Sequence, residues 1–280
     1  MRLSAPVRIG ACTALLLSGA FVTDLTAILV APTAVYMSDR QPGGAVTLYN
    51  PTETPEEISM EVQFGYPATD ETGGVRMVMD PEGDDPRSAA EWIRVLPRRL
   101  VVPPGERRVV RLLAQPPGDL PQGEYWSRLI ITSRGQNLPV EGAPDSSGVT
   151  VGLNMALQTV IAATFRNGEV TTGIEVRGFE PRIEAGMLVL HPEFVRQGDA
   201  AYIGLLELAL VADGGEVVRS WSSQIAAYRA YQRRFEYDVS DLDSGDYELV
   251  LRLSTEREDI APADRLASVP VELSAPVVVP

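Results

Sequence analysis

The 280-residue chain has no lysine: all 24 of its basic residues are arginines. This absence excludes Schiff-base chemistry and any mechanism that depends on a lysine ammonium. Histidine occurs once, as His191 in a Leu-His-Pro context at the end of a candidate strand. A two-histidine metal site is therefore impossible, no histidine-based triad has residues to build it, and His191 reads as structural. The single cysteine, Cys12, lies in the first apolar stretch, so the rest of the chain has no disulfide. Positive charge is in short supply, 24 basic against 38 acidic residues, and the net charge of −14 repels phosphate backbones and anionic lipid surfaces. Nucleic acid is excluded as a partner. There is no glycine-rich phosphate loop and no G-x-S-x-G elbow, which leaves nucleotide hydrolysis and serine-hydrolase chemistry without a starting point.

Long apolar runs are also missing. The longest lies at the start, where Arg2 and Arg8 precede an apolar stretch from Ile9 to Val22 that Asp24 ends before small residues near Ala27. At about 14 residues it falls short of the ~20 that span a bilayer, and its three-part layout is that of a cleaved secretory signal. Residues 1–27 are expected to be removed, taking Arg2, Arg8, Cys12 and Asp24 with them and leaving a cysteine-free chain held together by burial alone. A bacterial periplasm suits such a chain.

What is present is a β pattern. From Ile28 onward, short apolar stretches are broken every 8 to 12 residues by Pro, Gly, Asn or Asp, and the helical period never persists beyond about three turns. The pattern predicts strands over Ala27–Tyr36, Ala45–Tyr49, Ile58–Tyr66, Ile93–Val95, Arg107–Ala114 and Glu124–Ser133, with a short helix over Arg87–Trp92. A loop rich in Gly, Pro, Asn, Asp and Ser occupies 135–148. After a turn at Arg166-Asn167-Gly168, a second series is predicted at Thr171–Val176, Met187–His191, Ala201–Val211, Glu216–Ser222, Phe235–Val239, Asp246–Leu253 and Ala267–Ser274. The expected fold class is all-β, two immunoglobulin-like β-sandwich domains over 28–167 and 168–280, each about 100 residues or somewhat more.

The acidic run Asp80-Pro81-Glu82-Gly83-Asp84-Asp85 does not match the twelve-residue calcium loop with its closing glutamate and reads as a solvated loop. Glu56 with Glu57, and Asp241 with Asp243, sit in turn-like contexts and read as surface charge. The most regular stretch is the strand in which Val149, Val151, Leu153, Met155 and Leu157 alternate with smaller or polar residues. Either these five face their own sandwich core, or they form an exposed edge that pairs with a partner chain, their side chains entering its groove. Edge strands are normally blunted by charge or proline, and residues 149–157 contain neither.

Several motifs, in order, resemble the PapD-like periplasmic chaperones of the chaperone-usher pathway. VAPTAVYM followed by AVTLYNPTETP is similar to the first two strands of that family. WIRVLPRRLVVPPGERRVVRLL resembles its proline-glycine turn and the arginine-bearing strand after it, and LPQGEYWSRLIITS resembles the next strand. MALQTVIAATFRNG resembles its donor strand and the run into the second domain. The likeness spans most of 28–170 and continues more weakly through GDAAYIGLLEL and DSGDYELVLRL. It implies a chaperone that lends an exposed strand to pilus or fimbrial subunits and delivers them to an outer-membrane usher, with Val149, Val151, Leu153, Met155 and Leu157 as the inserted row. It also implies no catalysis, metal, cofactor or small-molecule substrate.

One departure stands out. The family grips the subunit's terminal carboxylate with an arginine and a lysine at positions that correspond here to Ala34 and Ala162. Arg166 and Arg128 are the candidates for a substitute anchor, because a guanidinium suits bidentate carboxylate recognition. The alternative reading is a secreted or cell-surface structural or adhesive immunoglobulin-like module without chaperone activity. A third is an enzyme that uses carboxylates alone.

Overall fold

The computed structural model describes residues 28–80, 84–135 and 156–280. They form strands, turns and loops without a helix, as the all-β expectation requires. The first ten strands are β1 (Leu29–Ala31), β2 (Ala34–Ser38), β3 (Gly43–Tyr49), β4 (Glu56–Thr69), β5 (Val75–Asp80), β6 (Ile93–Leu96), β7 (Arg99–Val102), β8 (Arg107–Ala114), β9 (Gly123–Gly135) and β10 (Ala156–Asn167). They make two sheets, β1-β3-β8-β6 and β2-β10-β9-β4-β5, with β7 beside the start of β4. The ten that follow are β11 (Thr172–Arg177), β12 (Arg182–Glu184), β13 (Met187–Leu190), β14 (Glu193–Gly198), β15 (Tyr202–Ala212), β16 (Val217–Ala227), β17 (Tyr231–Gln232), β18 (Phe235–Asp238), β19 (Gly245–Ser254) and β20 (Val271–Val279). They form sheets β11-β14-β17, β12-β13-β18 and β16-β15-β19-β20.

Alternation accounts for the layers. Along β8, Arg107, Val109, Arg111 and Leu113 face out while Val110, Leu112 and Ala114 are buried against Val46, Leu48 and Ile131. β9 departs from alternation because both of its faces are covered: Leu129 and Ile131 enter the first core, whereas Trp126 packs with Ala201 and Tyr228 of the second strand set. A separate core gathers Leu206, Leu208 and Leu210 of β15 with Leu249, Leu251 and Leu253 of β19.

Some sequence expectations are corrected. The strand expected over Ala27–Tyr36 is two strands: the chain leaves one sheet at Ala31 and enters the other at Ala34, across Pro32, which has no N–H to continue a ladder. Arg87–Trp92 is a set of turns and not a helix. Its backbone bonds to β9 instead, Ala89 N–H to the Trp126 carbonyl at 2.9 Å and Trp126 N–H to the Arg87 carbonyl at 2.8 Å, while the Asp85 carboxylate takes the Arg87 N–H. The last strand starts at Val271, after Pro270, rather than at Ala267. Glu56 is not surface charge; it is buried and accepts a hydrogen bond from the Ser133 hydroxyl. Strands β5, β7, β12, β14 and β17 are not among the expected ones.

Candidate functional site

The site is assembled from β10 outward. β10 pairs antiparallel with β9 over its whole length, but β2 joins its other edge only from Ala162 to Arg166. From Ala156 to Ile161 that edge has no strand partner among the described residues. Side chains of one face run Phe165, Ala163, Ile161, Thr159, Leu157. The first three are in the core, with Ile161 3% exposed, whereas Leu157 is 48% exposed. The row therefore leaves its own core between Ile161 and Leu157. Val149, Val151, Leu153 and Met155, the rest of the expected row, lie outside the described residues, as does the loop expected at 135–148 apart from Gly135, which ends β9.

Beside this edge the two strand sets enclose a cleft of about 360 Å³. Ala34 and Ala162 are cross-strand partners on its wall, and Ala162 in turn lies opposite Arg128 on β9. The alanines thus share one row with a guanidinium on the next strand. Arg128 is 4% exposed. Its Nε donates to the Gly65 carbonyl at 3.0 Å, and its guanidinium carbon lies 4.7 Å from the centre of the Tyr228 ring. Its second terminal nitrogen is buried without a hydrogen-bond acceptor among the described residues. A buried cationic donor without an acceptor is costly, and an anion entering the cleft would relieve that cost.

Arg166, the other expected anchor, is already engaged. Its Nε donates to Glu124 Oε2 at 2.9 Å, one terminal nitrogen donates to the Asp264 carbonyl at 2.7 Å, and its guanidinium covers the Tyr36 ring. Glu124 Oε1 accepts from Trp126 Nε1 and from the Ala201 backbone N–H, both at 2.9 Å. Burial, first of all, raises the Tyr36 phenol well above the ordinary tyrosine range, so it stays neutral under the Arg166 cation. Arg87 adds donations to the carbonyls of Glu124 and Asp199. Across the cleft, Arg257 is paired with Asp259, whose carboxyl its hydrogen bonds hold below the usual range.

Sequence reasoning missed Glu124 as the shared acceptor and Tyr228 as the ring under Arg128. The motif LPQGE held the only hint of Glu124. His191 is half-buried beside Gly73, and its Nε2 finds no partner among the described residues.

No family model matches the chain, and no curated protein matches it. Among solved structures it is similar to the CsuC-CsuE chaperone-tip adhesion subunit pre-assembly complex of Acinetobacter baumannii, at 12% identity and a TM-score of 0.41, covering 88% of this chain and 98% of the other. A Salmonella enterica SafA pilin complex with the SafB chaperone gives 16%, 0.43, 90% and 97% for the same four quantities. The YadV chaperone gives 11%, 0.45, 88% and 99%.

Proposed function

We propose that the protein is a periplasmic chaperone of the PapD-like kind, which binds pilus or fimbrial subunits by lending them the free edge of β10 and passes them to an outer-membrane usher. The observation that carries this reading is the exit of the β10 row from its own core between Ile161 and Leu157, on a strand whose outer edge has no strand partner before Ala162 among the described residues. Such an edge adds main-chain hydrogen bonds to a partner strand, while alternate side chains fill the partner's groove. In the sequence, the same alternation runs on from Leu157 through Met155, Leu153, Val151 and Val149. Residues 1–27 direct export and are removed, and 28–167 and 168–280 are the two folding units. Of the two expected anchors, Arg128 has a buried terminal nitrogen with no acceptor among the described residues to offer a carboxylate, whereas Nε and one terminal nitrogen of Arg166 are engaged by Glu124 and Asp264.

Leu157→Asp tests the reading. The substitution places a carboxylate in the partner's groove, costing several kcal/mol of binding, while the half-exposed position leaves the free protein's thermal unfolding within a few degrees of the parent. Thermal unfolding and co-purification from the periplasm are measured on the same variant. Capture that persists undiminished, or collapse of the free protein, refutes donation by this strand.

A further inference from the structure

The β4–β5 hairpin has more reach than the first sandwich needs. Among the described residues, β4 pairs with β9 only as far as Gln63 opposite Arg128, and from Phe64 to Thr69 its ladder is with β5 alone. Six paired positions beyond the sheet, with a single partner strand, are marginal in water without further support. The support comes from the second strand set. Gly73, at the hairpin tip, is buried, and its carbonyl accepts the Arg234 N–H at 3.1 Å. Its φ of 82° suits glycine, and a Cβ there would stand 2.7 Å from both the nitrogen and the Cβ of Arg234 and 2.8 Å from His191 Nε2. The tip is pre-shaped for this contact: the Asp70 carboxylate accepts from the Thr72 N–H, the Thr72 hydroxyl and the Gly74 N–H.

Three further contacts lie along the hairpin and at its base. Phe64 packs with Trp126, Ala201 and Tyr228. Arg229 covers the Tyr66 ring at 4.6 Å and pairs with Asp85 beyond β5. The Gly65 carbonyl takes the Arg128 Nε. Pro67 and Met77 of the hairpin line the cleft that holds Ala34 and Ala162, and Pro67, Ala68 and Val75 line an adjoining hollow of about 210 Å³.

We infer that the β4–β5 hairpin is a clasp between the two sandwiches: by docking Gly73 on Arg234 and Tyr66 on Arg229 it fixes the width of the cleft and holds the Arg128 guanidinium in place within it. The inference goes beyond the chaperone reading, because it concerns the geometry of the free protein and is tested without any subunit. The residues of the clasp are positioning residues.

The test is a distance distribution between spin labels on Glu57→Cys and Glu248→Cys, both exposed and one on each sandwich, in a Cys12→Ser background so that only the two labels react. A narrow distribution is expected for the labelled parent. Gly73→Val, which leaves no room for the Arg234 contact, is expected to broaden it and move it to a different mean distance, with each sandwich still unfolding cooperatively. Arg229→Ala is expected to give the same change in milder form, and it decides the matter if Gly73→Val does not fold. Glu71→Ala, an exposed tip residue, is expected to leave the distribution as in the parent. A distribution unchanged in both clasp variants overturns the inference, as does equal broadening in Glu71→Ala.

Discussion

Asp70 shows how one side chain shapes a tip that then contacts another sandwich. The Thr72 hydroxyl, first, and the Gly74 and Thr72 amides hold its carboxyl below the usual aspartate range. A depressed folded-state value means that the contribution of Asp70 is fully present above the unfolded-state value and fades as pH falls through the folded one. The Thr72 and Gly74 amide resonances, displaced by donation to a carboxylate, are therefore expected to move together on acidification, with a midpoint below that of an ordinary aspartate. In Asp70→Ala neither resonance should show that step. A midpoint at or above the ordinary value in the parent contradicts the assignment. The same residue type reads differently at Asp85, whose carboxylate closes a turn through the Arg87 N–H and also meets Arg229 of the second sandwich.

β10 is one element with two environments, and the boundary between them is measurable. At its carboxy-terminal end it has partners on both sides and sends Ile161, Ala163 and Phe165 into the core. At its amino-terminal end β9 is its one strand partner among the described residues, and Leu157 is half in solvent. Ile161→Ala is expected to cost roughly 2–4 kcal/mol, as a buried aliphatic truncation does. Leu157→Ala, four residues away on the same face, is expected to cost under about 1 kcal/mol. Urea midpoints of the two variants measure the contrast, and equal losses would return the whole row to the protein's own core. β9 needs no such division, because the second sandwich covers the face that the first core leaves open.

At the scale of the molecule, the joint between the sandwiches is polar at its centre. Glu124 and Arg166 are both largely buried, their ion pair is 2.9 Å long, and each also bonds to the second strand set, Glu124 through the Ala201 N–H and Arg166 through the Asp264 carbonyl. Removing one member of a buried pair leaves the other uncompensated, at about 3–5 kcal/mol. Arg166→Ala is expected near the lower end, since Glu124 keeps the Trp126 and Ala201 donors. Calorimetry should show a lowered transition that splits into two as the sandwiches lose their coupling. A single transition at the parent temperature would contradict this role for the pair. Arg166 is therefore fitted to hold the sandwiches together, and Arg128 is left facing the cleft.

The sequence alone determined that the chain is all-β, that its strands fall in two series, and where most of them lie, because alternation and turn residues act over a few neighbours. It also offered Leu157 and both arginines as candidates, but not how each arginine is engaged. That depends on partners far along the chain: Glu124 and Asp264 engage Arg166, while Gly65 and Tyr228 position Arg128, whose second terminal nitrogen has no acceptor among the described residues. The split of the first strand at Pro32, the turns at Arg87–Trp92 and the docking of Gly73 on Arg234 were likewise decided by tertiary structure. In each, a backbone group exchanges a local bond for one with a segment distant in sequence, and a local pattern carries no record of that exchange.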